Sequence, residues 1–142
     1  MKKFLHLLFT LSMMAVAAKA QHVLASPIIE KTIAGNQYGG QLLLETKSQW
    51  GFGVFYLKSL QRSEGGQSYY PFYGASLNAP LIKSGKIHFF LNVRAGFVNT
   101  NFFVIAPGFE TRLAVTKSVS LSLLSSIRMQ SPSTALRINI KL

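Results

Sequence analysis

Residues 86–99 read KIHFFLNVRAGFVN, and the alternation in this stretch decides the fold. Ile87, Phe89, Leu91, Val93, Ala95 and Phe97 fall on one face of an extended chain, and His88, Phe90, Asn92, Arg94 and Gly96 on the other. A period of two marks a strand, because successive side chains of a strand point to opposite faces of its sheet. Here one face is uniformly apolar and the other is mixed and carries an arginine. Such a strand separates two unlike environments.

The same rule holds on both sides of this stretch. Toward the C-terminus, Phe103, Ile105, Phe109, Leu113 and Val115 oppose Ala106, Gly108, Glu110 and Arg112. Val119, Leu121, Leu123, Ile127 and Met129 oppose Ser118, Ser120, Ser122, Ser126 and Arg128, and Leu136, Ile138, Ile140 and Leu142 alternate with Arg137, Asn139 and Lys141. Toward the N-terminus, Tyr69, Tyr73, Ala75, Leu77 and Leu81 oppose Ser68, Gly74, Ser76 and Asn78. Segments 50–59 and 38–46 follow with looser alternation. In the first, Trp50, Phe52, Val54 and Tyr56 oppose Gly51 and Gly53; in the second, Leu42 and Leu44 oppose Gln41 and Glu45. An eighth strand, from Ile28 to Ala34, rests on the Gly35-Asn36 pair after it, a two-residue hairpin signal. The breaks fall at 47–49, 83–85, 99–101, 116–117 and 130–133, all short, and only Leu60 to Gln67 reads as a longer loop. Short connections force neighbouring strands to be antiparallel. The expectation is one eight-stranded antiparallel up-and-down meander closing into a barrel over residues 28–142.

The start of the chain is of another kind. Lys2 and Lys3 precede an apolar run from Phe4 to Ala17, and Ala18-Lys19-Ala20 supplies a small-x-small cleavage pattern. This is the layout of a secretory signal peptide over residues 1–20, too short to be a spanning helix. Residues 21–27 are then a short N-terminal extension before the barrel. The full chain has 15 Lys and Arg against four acidic residues, all Glu. Without Lys2, Lys3 and Lys19 the balance is +8. The basic residues are scattered singly and not clustered on one helix or arm, which argues against nucleic acid as a partner.

A meander with one apolar face has two solutions. In a soluble barrel that face points inward; in a membrane barrel it points to lipid and the polar face lines the interior. The strands over 87–97 and 119–129 have the length of a tilted membrane strand, about 9–11 residues. The polar face mixes Gly, Ser and Asn with a few charges, which suits a crowded interior better than a solvated surface. Charges inside a barrel must pair, so Glu45 and Glu110 are expected to meet some of Arg94, Arg112, Arg128 and Arg137. Tyr38, Trp50, Tyr69, Phe97 and Phe102 lie near strand ends, where an interfacial aromatic girdle would stand.

In these respects the chain resembles the small eight-stranded outer-membrane β-barrels of Gram-negative bacteria. The resemblance covers Ile28 to Leu142 and includes an alternating terminal strand, Ala135 to Leu142; it departs at the last residue, where those barrels usually carry an aromatic and this chain carries Leu142. It implies an outer-membrane location with both termini in the periplasm, and a long loop 60–67 facing outward. The partners it implies are outer-membrane lipids and an envelope protein of unknown identity.

Little in the sequence points to catalysis. Cysteine is absent, so no thiolate metal site or disulfide exists. After residue 20 the histidines are His22 and His88, 66 positions apart, which form no metal-ligand spacing. No glycine-rich phosphate loop precedes a helix, and no cofactor is expected. Some barrels of this size modify lipid A with His and Ser, but His88 would stand at the periplasmic end and His22 in the N-terminal extension. An outer-membrane barrel with a structural or interaction role and no open pore is the leading reading. A soluble periplasmic lipid-binding barrel and a lipid A-modifying enzyme are the alternatives.

Overall fold

The computed structural model describes residues 20–33, 35–59 and 71–142. Of the signal peptide expected over residues 1–20, all but Ala20 lies outside the described residues, as do the loop 60–67 and Tyr69. Eight strands follow in chain order: β1 (Ala20–Thr32), β2 (Gly35–Thr46), β3 (Gly51–Ser59), β4 (Phe72–Ser84), β5 (Ile87–Val98), β6 (Phe102–Ala114), β7 (Val119–Arg128) and β8 (Ser131–Lys141). Each pairs antiparallel with the next, and β8 pairs back with β1 to close the barrel. The first strand takes in residues 21–27, which the sequence reading had set outside the barrel. Pro27 hides the strand in the sequence, because it cannot donate to a ladder. The β1–β8 pairing is interrupted there: Ala25 stands opposite Ile140 and Ile28 opposite Arg137, with no pairing between. Pro80 marks a second irregularity, between β4 and β5.

The turns also shift from their expected places. Gly35 and Asn36 open β2 instead of forming the hairpin tip, and Thr32 Oγ1 donates to the Gly35 carbonyl at 2.9 Å. The β7–β8 turn is Met129-Gln130, with φ of 50° and 63°. Two consecutive left-handed residues make the type I′ geometry that fits the twist of a two-residue hairpin. Asn99 and Thr100, at 53° and 58°, are left-handed too, within the three-residue turn 99–101 between Val98 and Phe102.

Small barrels bend sharply, and some inward-facing positions tolerate no side chain. Gly74 and Gly96 pair across β4 and β5. A Cβ on Gly96 would lie 2.0 Å from the Tyr73 carbonyl oxygen, and one on Gly74 would lie 2.1 Å from that of Ala95. Neighbouring strands approach so closely there that only glycine fits.

The faces sort as the alternation demands. Along β6, Val104, Ala106, Gly108, Glu110 and Arg112 are buried, while Phe103, Ile105, Phe109 and Leu113 are exposed. Among the described residues, buried polar or charged side chains number 17 and buried hydrophobic ones 11, whereas the outer surface displays Ile, Leu, Val and Phe from every strand. This is the reverse of a soluble core. An apolar cluster of Ile28, Phe55, Leu57, Phe72, Val104, Ala106, Leu124 and Ala135 occupies part of the interior; the rest is ionic.

Candidate functional site

The ionic interior forms two groups. In the first, Arg94 from β5 grips Glu30 from β1 with both guanidinium nitrogens, Nη1 to Oε2 at 2.5 Å and Nη2 to Oε1 at 3.2 Å. Arg94 Nη2 also donates to Ser126 Oγ at 2.9 Å. Arg128 stands 3.8 Å from Glu30 and donates to Gln37 Oε1 at 2.8 Å. Phenyl rings flank these cations: Arg94 lies 5.7 Å from Phe55 and 5.6 Å from Phe72, and Arg128 lies 4.8 Å from Phe72. At such range the ring faces attract a guanidinium.

The second group centres on Glu110 of β6. It takes Arg112 at 3.1 Å and Arg137 at 3.2 Å, and Asn78 donates to it at 2.9 Å. Asn92 donates in turn to Asn78. Arg112 bridges onward to Glu45 at 2.6 Å and lies over the Phe90 ring at 4.3 Å. Beside this group, Asn139 bonds Ser26, Ser120 and Ser122. Arg137, fully buried, is the least compensated member: its Nε and Nη2 have no hydrogen-bond partner. Among the described residues, three buried arginines and the half-buried Arg128 face three glutamates, and the surplus positive charge belongs to the Glu30 group, where Arg94 and Arg128 share one carboxylate.

Glu45, Glu110, Arg94, Arg112, Arg128 and Arg137 therefore all point into the barrel. Glu110 joins Arg112 and Arg137, and Glu45 joins Arg112. Arg94 and Arg128 turn instead to Glu30, which the sequence reading left out. The omission has a physical source: Ile28 and Ile29 are both apolar and Lys31 follows Glu30, so this strand shows no clean period of two and its carboxylate reads as a surface charge.

The aromatic residues distribute less simply. Tyr38 and Phe97 face outward near the end opposite the termini, and Trp50 faces outward beside the β2–β3 turn at the terminal end. Phe102, also exposed, shares the parity of Val104 and Ala106 and pairs with Val98 at the start of β6. Its neighbour Phe103 takes the outward position instead. Cross-strand register assembles Tyr56, Tyr73, Phe97 and Phe103 into one continuous outer row over β3–β6, with ring centroids 6.3, 6.4 and 5.5 Å apart.

The histidines lie toward the terminal end of the barrel, where His88 pairs with Arg112 across β5 and β6. His22 belongs to β1, opposite Glu45, and not to an extension outside the barrel. His88 Nδ1 lies 2.9 Å from Gln49 Nε2.

No protein-family model matches the chain, and no curated protein does. Among solved structures, a de novo designed transmembrane β-barrel superposes with a TM-score of 0.72 at 11% identity, over 87% of this chain and 98% of that one. The fold is that of a transmembrane β-barrel. Neisserial surface protein A also matches, with a TM-score of 0.43 at 14% identity, over 85% of this chain and 94% of that one. An eight-stranded barrel of this type has an interior just wide enough for its own side chains. Arg94, Arg137, Phe72 and Phe90 are the largest side chains that fill this one.

Proposed function

We propose that this protein is an outer-membrane β-barrel with a structural or interaction role in the cell envelope and no solute pathway through its centre. The observation that carries the reading is the inversion of its faces. Ion pairs and amides fill the interior, while Leu42, Val54, Phe89, Phe103, Ile105, Phe109, Leu123 and Leu136 stand exposed on the outside. Water would leave that apolar belt at a large free-energy disadvantage, whereas acyl chains solvate it. Closure removes every strand edge, which a bilayer requires because lipid offers no hydrogen bonds to backbone groups. With eight strands both termini fall on one side, and the reading places them in the periplasm. Its partners are then the outer-membrane lipids and an envelope protein that meets one of the rims.

Envelope fractionation followed by gel electrophoresis, with and without boiling, tests the proposal. An outer-membrane protein whose compact band moves on boiling supports it. A soluble periplasmic protein with no shift would instead favour a lipid-binding barrel and refute the membrane assignment.

A further inference from the structure

The rim that carries the termini is basic. Lys47 lies in the β2–β3 turn, Lys83 and Lys86 flank Gly85 between β4 and β5, Lys117 lies in the β6–β7 turn, and Lys141 ends β8. Among the described residues, Glu45 and the α-carboxylate of Leu142 are the anionic groups near this rim. Glu45 is already held by Arg112 at 2.6 Å.

A cleft of about 150 Å³ opens inside this rim. Lys117 and Ser118 line it from the β6–β7 turn, Lys141 from β8, Gln49 and His88 from the facing side, and Arg112 from its floor. The volume equals about five waters' share of liquid, at roughly 30 Å³ each. Gln49 Nε2 lies 2.9 Å from His88 Nδ1 on this side of the cleft. The lining thus gathers the Lys117 and Lys141 ammonium groups, the hydroxyls of Thr116, Ser118 and Ser120 and the His88 ring, while its carboxylate, Glu45, is held by Arg112. Asn139 beneath is saturated by three serines and does not compete. Donors converging from several directions match a tetrahedral oxyanion better than a planar carboxylate, which presents its acceptors in one plane.

We propose that this cleft binds a phosphate group. The phosphate comes either from the headgroup of an anionic phospholipid in the adjoining leaflet or from a free phosphate compound. The collar of Lys47, Lys83 and Lys86 raises the local anion concentration around the mouth without touching the bound group.

The test compares the natural barrel with K117Q/K141Q, which strips the cleft, and K47Q/K86Q, which thins only the collar. Retention of the boiling-dependent gel shift verifies that each variant folds. Inorganic phosphate is titrated into the barrel in zwitterionic detergent, followed by the ¹⁵N shift of His88. In parallel, barrels in phosphatidylcholine vesicles with and without phosphatidylglycerol are assayed for co-purifying lipid by native mass spectrometry. Saturable phosphate binding that weakens about tenfold or more in K117Q/K141Q and stays within about twofold in K47Q/K86Q establishes a site for free phosphate. Phosphatidylglycerol retention that is lost only in K117Q/K141Q establishes a headgroup site. Equal behaviour of the natural barrel and K117Q/K141Q in both arms, or equal loss in the two variants, overturns the proposal.

Discussion

Glu30→Gln is the most informative single change to the interior. Glu30 and Arg94 are both fully buried, and the substitution preserves shape while removing the one carboxylate that Arg94 contacts among the described residues. Arg94 would keep Ser126 and the faces of Phe55 and Phe72, but its Nε has no partner even before the change. Removing one member of a buried pair typically costs about 3–5 kcal/mol, because the other charge is left without compensation. With a urea dependence of about 1–3 kcal/mol/M, a loss of 3 kcal/mol lowers the unfolding midpoint by about 1–3 M. The assay is reversible urea unfolding in phospholipid vesicles, read by the fluorescence of Trp50, the chain's one tryptophan. Glu30→Leu with Arg94→Met removes both charges at similar volume and should recover stability to within about 1 kcal/mol of the natural barrel. A change below about 1 kcal/mol in Glu30→Gln, or a double variant no better than the single one, would show that this pair does not hold the barrel together.

Arg137→Met leaves Glu45 and Glu110 to share Arg112, so it should lower the unfolding free energy by about 3 kcal/mol in the same titration, and no loss would show that Arg112 and Asn78 suffice for Glu110. Gly96→Ala places a methyl 2.0 Å from the Tyr73 carbonyl oxygen, and the displaced strand should cost about 1–3 kcal/mol in the same titration. Replacing Met129-Gln130 with Asn-Gly relieves two left-handed residues and should stabilise by about 1 kcal/mol or more, seen as slower unfolding or a higher midpoint. Leu123→Arg sets a charge on the outer face, which should cost about 2–4 kcal/mol in vesicles if that position lies near the bilayer centre.

Much of the architecture is legible where both faces of a strand are chemically distinct. β5 alternates over its whole length and β6 from Gly108 to Leu113, and the buried and exposed positions follow that alternation. Where neighbouring residues share a chemistry, the period disappears. In β1, Ile28 faces in and Ile29 faces out, and Pro27 interrupts the pattern, so both the strand and its Glu30 go unread. In β7 the pattern fails locally for the same reason: Leu124 is buried in the apolar cluster while Ser125 faces outward opposite Phe109 and Thr134. The inward set of charges is readable one strand at a time, but its pairing is not. Glu30 reaches Arg94 across 64 residues because closure brings β1 and β5 to opposite walls of a narrow interior. The aromatic row from Tyr56 to Phe103 depends likewise on register, which no single strand reveals.

The central claim is that the outer face meets lipid and the inner face does not. β7 permits a direct test, because the chain has no cysteine and offers serines on both faces. Single variants Ser122→Cys and Ser126→Cys place a near-isosteric thiol inward, and Ser125→Cys and Leu123→Cys place one outward. With a spin label at each outward thiol, lipid-dissolved oxygen should broaden the signal strongly and a water-soluble paramagnetic reagent hardly at all. The inward thiols should stay protected from labelling in the folded barrel. Labelling of Ser122→Cys and Ser126→Cys together with water exposure at positions 123 and 125 would contradict the account and place β7 in a soluble protein.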